Sequence, residues 1–353
     1  MAKRVVVAMS GGVDSSVAAA LMVEAGHETI GVGLRLADRP AQESFHRGCC
    51  APRDLADARA VAAQLDIPFY VMDVRESFKE SVIENFISEY ENGRTPVPCV
   101  KCNQVVKFDY LAERAMAFGA ELLVTGHYAR RVEVDGCLSV ARSLDREKDQ
   151  TYFLFGMTQE QLARTAFPLG EFTKEQTREY ARKLGLPTAE KPESQEICFV
   201  PKDDYRAFLK AEKPGIDRPG DIVDLAGNVL GRHGGVTNFT VGQRRGLDLG
   251  GGPPRYVVEL ESDSATIVVG EREALAREVF FARDVHWSIP PASASLQVQV
   301  RHRGRAAACA VTPNGDGTVE IRPHDPAYLG AVAPGQAAVF YSGDVLCGGG
   351  WVA

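Results

Sequence analysis

This 353-residue chain lacks any run approaching the ~20 consecutive apolar residues that cross a bilayer as a helix, so no helical membrane span is expected. It also lacks a leader pattern. Met1-Ala2-Lys3-Arg4 leads directly into an apolar strand, and the expected compartment is the cytoplasm. Excess basic charge is missing too. The formal net charge of −7 argues against tight sequence-independent binding to nucleic acid, while leaving open recognition of one folded RNA through a local basic surface. Eight cysteines are present, but only one C-x-x-C pair, Cys99-Val100-Lys101-Cys102. A structural zinc site wants four ligands, usually from a second close pair, and a chain of this length without a secretion signal does not read as a disulfide framework. Repeats and low-complexity tracts are absent. What remains is an ordinary globular composition, 45% hydrophobic and 25% charged, long enough for two or three domains.

Two familiar nucleotide signatures are also missing from the opening loop, the G-x-x-x-x-G-K-[ST] P-loop and the G-x-G-x-x-G dinucleotide fingerprint. In their place Val5-Val6-Val7-Ala8-Met9 runs into Ser10-Gly11-Gly12-Val13-Asp14-Ser15-Ser16. A buried strand ending in Ser-Gly-Gly and opening into a helix makes a polyphosphate cradle. Glycines let backbone N–H groups approach oxygens closely, and the helix N-terminus adds partial positive charge. The hydroxyls of Ser10, Ser15 and Ser16 are expected to donate further hydrogen bonds. Asp14 beside phosphate is repulsive unless a cation lies between them, which predicts Mg²⁺ held by Asp14. The heptapeptide resembles the PP-loop of the ATP pyrophosphatases, S-G-G-x-D-S, in which ATP is cleaved between its α and β phosphates. The plainer alternative is a Gly/Ser-rich turn with no ligand.

Strand and helix patterns alternate through the first 125 residues. Val13, Val17, Leu21 and Ala25 recur at helical spacing, with Gly26 placed as a C-terminal cap. Strands are expected at Thr29–Leu36, Ile67–Asp73 and Leu122–Val124, with helices beginning near Pro52, spanning Phe78 to Tyr90, and around Phe108 to Met116. Repeated βα units imply an α/β fold with a doubly wound, Rossmann-like parallel sheet whose ligand sits at the carboxyl ends of the strands. Asp135-Gly136 marks a two-residue hairpin, and helical patterns return at Thr158–Arg164 and Lys174–Leu184. Beyond about Pro201, Gly and Pro become frequent and helical periodicity fades. From about Val279 short β-rich runs (Leu296–Arg301, Ala308–Val311, Thr318–Ile321, Ala337–Tyr341) read as a small barrel or sandwich. The expected domains are 1–200, 201–275 and 276–353.

The C-x-x-C lies in a Pro-rich segment (Pro96, Pro98) read as a loop just before a helix, where a helix N-terminus and Lys101 favour thiolate. Half of a zinc site and a redox pair are the competing readings. Cys198, between Ile197 and Phe199, reads by itself as packed core.

Taken together, Met9–Ser16, Thr125–Arg130, Lys148-Asp149-Gln150-Thr151-Tyr152-Phe153-Leu154, Ser194–Phe199, Gly242-Gln243-Arg244-Arg245-Gly246-Leu247, Pro334-Gly335-Gln336 and Val339-Phe340-Tyr341 closely resemble the bacterial tRNA-specific 2-thiouridylase family, in the family's own order. The resemblance implies an N-terminal ATP-pyrophosphatase domain, a small central domain and a C-terminal β-barrel. It implies that ATP adenylates the C2 oxygen of a wobble uridine, which sulfur then replaces. Splitting one hard displacement into two easier ones makes physical sense, because AMP leaves readily and a carbonyl oxygen does not. By motif match Ala8, Met9, Ser10, Gly11, Gly12, Val13, Asp14, Ser15, Leu34 and Gly126 would bind ATP. Cys102 matches the nucleophile and Cys198 the cysteine that carries sulfur as a persulfide. Val97, Pro98, Cys99, His127, Lys148, Asp149, Gln150, Arg301, His302 and Gln336 match positions that meet the tRNA. Arg301-His302-Arg303 and Arg305 form a local positive cluster suited to phosphate, although a solvated strand face is the simpler account. The implied partners are tRNAs for Lys, Glu and Gln, and a sulfur donor, either a cysteine desulfurase or a sulfur relay protein. The target base must be splayed out of its stack into a pocket.

One departure is informative. Many members read Asn-Pro-Asp where this chain has Val97-Pro98-Cys99, so no Asp stands there for acid–base work. Cys99, Cys102 and Cys198 supply instead the three thiolates of a possible [4Fe-4S] cluster with an open iron. Rival readings are another PP-loop adenylating ligase, or an ATP-dependent RNA-binding module with structural cysteines. The roles of Cys49, Cys50, Cys137, Cys309 and Cys347 stay open, packing being the default for the last three.

Overall fold

A computed structural model describes residues 2–37, 52–193, 197–290 and 296–353. Cys49, Cys50 and the first three residues of the motif that ends in Cys198 lie outside them. The chain divides into two compact units. One comprises Met1–Ile83, Cys99–Asp203 and Asp344–Leu346, the other Glu84–Pro98, Asp204–Gly343 and Cys347–Ala353. Among the described residues no helix is long and apolar enough to cross a membrane.

The first unit is built on strands β1 (Arg4–Ala8), β2 (Glu28–Arg35), β3 (Phe69–Asp73) and β4 (Leu122–Thr125), then a hairpin of β5 (Ala129–Val134) and β6 (Cys137–Arg142), then β7 (Thr165–Ala166). The sheet runs β3-β2-β1-β4-β7, and all its pairings are parallel. Val5, Val6 and Val7 are fully buried, as a strand covered on both faces requires. Helix α1 (Val13–Glu24) and helix α2 (Pro52–Gln64) pack Val13, Val17, Ala18, Ala58 and Val61 against Val5, Val7 and Met9 of the β1 segment. Gly26 ends α1 at φ 75° with its N–H on the Val23 carbonyl, the C-cap expected of it. Asp135 and Gly136 both adopt positive φ, which matches the twist of a tight hairpin. Helix α3 (Lys174–Lys183) starts from a complete capping box between Thr173 and Gln176.

The C-x-x-C is not in a loop ahead of a helix. It lies inside one, because Pro98 supplies a preset φ for a first helical residue. The helical run Pro98–Lys101 continues through the wide turns of Cys102–Leu111 into Ala112–Ala117.

The second unit contains a helix that the fading periodicity beyond Pro201 concealed, α4 (Tyr205–Glu212), capped by the Asp204 side chain on the Ala207 N–H. Its apolar residues Tyr205, Phe208 and Leu209 share one face, with Tyr205 stacked on Tyr90 and Phe208 edge-on to Phe86, but they fill only about one turn of an eight-residue helix, too short a stretch to stand out. Strands β8 (Gly220–Val223), β9 (Val229–His233), β10 (Tyr256–Glu261) and β11 (Thr266–Gly270) form a sheet ordered β10-β11-β8-β9 around Ile222, Val257, Ile267 and Val269. Strands β12 (Phe280–Trp287), β13 (Leu296–Gln299), β14 (Ala307–Pro313), β15 (Val319–Pro323), β16 (Ala337–Ser342) and β17 (Val345–Val352) follow in the order β12-β15-β14-β13-β16-β17. Pairing of β12 with β17 closes them into a barrel. The last strand escaped the sequence reading because its centre is Gly348-Gly349-Gly350, and the backbone explains those glycines. A Cβ on Gly348 would lie 2.2 Å from the His286 carbonyl oxygen, and one on Gly350 2.7 Å from that of Arg283.

Candidate active site

Ala8, the last residue of β1, sits beside Val32 of β2 and Thr125 of β4. The chain moves outward from β1 through β2 to β3 and returns on the other side as β4. The crevice for a ligand is therefore expected where β1 and β4 diverge. The loop after β1 and Gly126-His127 after β4 both leave the sheet at that edge. They touch closely: a Cβ on Gly126 would lie 2.8 Å from the Ser15 nitrogen. Leu34 is buried near the same end of β2, two residues beyond Val32, whose carbonyl accepts the Met9 N–H at 2.8 Å.

The cradle is shaped from inside. Gly11 has φ 75°, and a Cβ there would lie 2.0 Å from the Asp54 carbonyl oxygen, so only glycine fits between this loop and α2. Gly12 is the N-cap of α1 and brings no side chain to cap it, leaving first-turn N–H groups for an anion. The expected serine donors are otherwise engaged. Ser15 Oγ and Ser16 Oγ donate to the Gly12 carbonyl at 3.1 and 2.8 Å, and Ser15 Oγ also accepts the Ser10 N–H at 3.1 Å. A hydroxyl has one proton, so in this structure Ser15 and Ser16 spend theirs on holding the loop, while the Ser10 hydroxyl lies 3.3 Å from Ser15 Oγ.

Four side chains that the sequence reading did not single out complete the site. Lys191 donates to the Gly11 carbonyl at 2.9 Å and pairs with both Asp54 and Asp57, fastening the loop to α2. Lys174 grips both oxygens of Asp14, at 2.7 and 2.9 Å, and reaches Glu193 at 3.3 Å. The Tyr128 hydroxyl lies 3.0 Å from Asp14 and 2.9 Å from Thr177. Burial and the neighbouring Asp14 charge push this phenol well above its ordinary pKa, so it stays a donor. Glu193 also pairs with Lys148 at 2.7 Å. Burial by itself would raise its pKa, but the two lysines outweigh burial and hold the carboxyl below the usual range.

One signal for Lys174 was available in the sequence. It is the first helical residue after the cap Thr173, where the helix dipole disfavours a cation. A local misfit of that kind marks a site whose reason lies elsewhere in the fold.

The positions matched to tRNA contact divide. Gln150 Oε1 accepts the Tyr128 N–H at 3.0 Å. Asp149 is buried and accepts from the Ser143 N–H and the Thr151 hydroxyl at 3.0 and 2.7 Å. Gln150 thus braces the segment around Tyr128, and Asp149 the loop between Arg142 and Thr151. The His127 ring lies between Phe108 and Phe167, with Nδ1 2.8 Å from Thr125 Oγ1. Desolvation there, with Lys107 adding to it, drives its pKa well below 6.5 and keeps the ring neutral at pH 7. In the second unit Arg301, Arg303 and Arg305 are exposed on and just after a turn that buried Gln299 braces by donating to the Arg301 carbonyl at 3.1 Å. Gln336 Nε2 donates to the Thr95 carbonyl at 2.9 Å, close in sequence to half-buried Val97 and buried Pro98.

Cys99 is exposed and Cys102 buried, one helical turn apart, and Cys198 is half-buried in a turn. Among the described residues no three Cys, His, Asp or Glu side chains converge as metal ligands. Cys99, Cys102 and Cys198 therefore do not form a ready-made ligand set for a [4Fe-4S] cluster.

Family models cover nearly the whole chain. A tRNA methyl transferase HUP domain matches residues 3–202, a tRNA methyl transferase PRC-barrel domain 206–271, and an aminomethyltransferase beta-barrel domain 277–352. The tRNA-specific 2-thiouridylase MnmA of Geobacter metallireducens is 48% identical over 99% of this chain and 96% of its own length. Proteins of the same name from Zymomonas mobilis and Chloroflexus aggregans are each 49% identical over 99% of this chain, covering 93% and 98% of their own lengths. The chain belongs to the tRNA-specific 2-thiouridylase family.

Among the other cysteines of this family member, Cys309 and Cys347 are buried in the barrel, as the packing default expected, while Cys137 is half-buried at the hairpin. Burial pushes the Cys309 thiol up to about 12. Its thiolate fraction at pH 8 should fall about a thousandfold below that of an ordinary thiol. Peptide-resolved alkylation of the native protein is expected to leave Cys309 unlabelled while exposed Cys99 reacts, and urea should abolish the difference. Equal native rates at the two residues would contradict the burial of Cys309.

Proposed function

We propose that this protein uses ATP to replace the C2 oxygen of a tRNA wobble uridine with sulfur. The observation that carries the reading is the glycine cradle at the divergence of β1 and β4, with uncapped N–H groups at the start of α1 and the Asp14 carboxylate in its first turn. Ala8 to Ser15, Leu34 and Gly126 line the ATP site in this reading. Asp14 would hold Mg²⁺, which supplies charge neutralisation between carboxylate and phosphate. The uridine C2 oxygen attacks the α-phosphorus and pyrophosphate leaves. The perthiolate on Cys198 then attacks C2 and AMP departs. The Cys102 thiolate attacks Cys198 Sγ, which breaks the S–S bond, releases the 2-thiouridine and leaves a Cys102–Cys198 disulfide for an external thiol to reduce.

Exposed Arg301 and Arg303 would meet phosphates in this reading, and Val97, Pro98, Cys99, His127, Lys148, Asp149, Gln150, His302 and Gln336 are the further positions that would meet the tRNA. The preferred substrates are tRNAs for Lys, Glu and Gln, supplied with sulfur by a cysteine desulfurase or a relay protein in the cytoplasm. Incubation with α-labelled ATP, Mg²⁺, tRNA, a thiol reductant and a cysteine desulfurase with free cysteine as the persulfide source is expected to yield AMP and pyrophosphate together with 2-thiouridine in the digested RNA. ADP and inorganic phosphate, without AMP, would overturn the reading.

A further inference from the structure

Lys174 is the most enclosed lysine at the cradle, and it pairs with Asp14. The lysine side chain is 11% exposed, and its three donor positions face the two Asp14 oxygens at 2.7 and 2.9 Å and Glu193 at 3.3 Å. Asp14 occupies the first turn of α1, the terminus that a phosphate would also seek. An unneutralised carboxylate there would repel the phosphate, so some cation must accompany it. In the absence of nucleotide that cation is the Lys174 ammonium.

We propose that Lys174 is a place-holding cation. It keeps Asp14 neutralised and correctly aimed until a divalent ion takes the carboxylate, and it then turns its ammonium onto the phosphates of the incoming nucleotide. The inference rests on the ATP reading above and extends it to a phosphate-contacting residue. Glu193 makes the exchange feasible. It is a second acceptor for the same ammonium and is itself anchored by Lys148, so Lys174 stays tethered when Asp14 is withdrawn. The flexible four-carbon stem lets the charge pivot while the backbone stays fixed by the Thr173 cap and by the Lys174 N–H on Asp145 at 2.9 Å.

The test is equilibrium binding of α,β-methylene-ATP, which cannot be cleaved between its α and β phosphates, titrated with Mg²⁺ and compared with adenosine. Lys174→Gln is expected to weaken binding of the Mg²⁺-loaded analogue at least tenfold and to leave adenosine within twofold. Because nothing then competes for Asp14, the Mg²⁺ midpoint should also move to lower concentration. Lys174→Arg should recover most of the affinity. If Lys174→Gln does not fold, Glu193→Gln gives the same reading on a smaller scale, a loss of about threefold confined to the phosphate-bearing ligand. Equal losses for adenosine and the analogue, or no loss for either, overturn the place-holding role. A wild-type protein that fails to bind the analogue overturns the ATP reading itself, and this inference falls with it.

Discussion

Cys102→Ser is expected to abolish 2-thiouridine formation, a fall of at least ~10³-fold, because a hydroxyl at neutral pH is a far weaker nucleophile than a thiolate. The same variant should keep its nucleotide affinity. The cradle is assembled from β1, β4, α1 and α2 with Lys174 and Lys191, and Cys102 lies on a different helical run. Nucleoside mass spectrometry of treated tRNA reads the first quantity, and binding of α,β-methylene-ATP reads the second. The two together separate a sulfur-transfer enzyme from an ATP-dependent RNA-binding module, in which the substitution would leave the biological effect intact. A Cys102→Ser protein that retains a tenth or more of the thiolation rate removes Cys102 from the chemistry. Cys99→Ser provides the contrast. In the persulfide reading the Cys99 thiol takes no part, and the variant's activity should stay within a few-fold of wild type; a loss as large as that of Cys102→Ser would favour the three-thiolate cluster instead.

The second large effect concerns backbone. Gly11→Ala asks for a Cβ 2.0 Å from the Asp54 carbonyl oxygen at a residue with φ 75°. The left-handed conformation alone costs ~1 to 2 kcal/mol, and the contact forces the loop away from α2. Displacement would also pull the Gly11 carbonyl off Lys191 and expose the Asp54 and Asp57 pairings. Nucleotide affinity should fall about a hundredfold or more, accompanied by a lower melting temperature. Gly26→Ala is the matched control, since Gly26 has the same φ but nothing within 4 Å of the added carbon. It should cost roughly 1 kcal/mol of stability with nucleotide affinity unchanged. Binding and thermal melts of the two variants make the comparison. If Gly11→Ala binds the analogue as tightly as Gly26→Ala does, the close approach of loop and helix is not what forms the cradle.

Much of this architecture was legible in the residues, for reasons that can be named. β1 is a continuous valine run because both its faces are covered, and Gly11-Gly12 stand where backbone replaces side chains around a ligand. The Asp135-Gly136 turn and the Gly26 cap announce themselves through positive φ. The chemistry of the cradle was harder to see. Asp14 suggested a missing cation, but the cation that meets it in the fold, Lys174, lies 160 residues away, and one lysine carries no periodicity. Lys191 is equally remote from Gly11. Asp149 and Gln150 were matched to an RNA surface by motif; that Gln150 also holds the Tyr128 N–H and Asp149 the Ser143 N–H is a use that motif matching does not reveal. Pattern reading also failed where a helix is short, as in α4, and where glycine replaces apolar residues, as in β17.

That last strand has a consequence for how the chain matures. Of the six staves of the barrel, β17 is translated after all the others, and it joins β12, which leaves the ribosome before the other five. Until it arrives, β12 and β16 each present a raw backbone edge to the crowded cell. The central strand of the N-terminal sheet, by contrast, is among the first segments made. Nascent protein should therefore be vulnerable to clumping late in synthesis, and shortening the tail by a few residues should harm yield far more than the small surface lost would suggest.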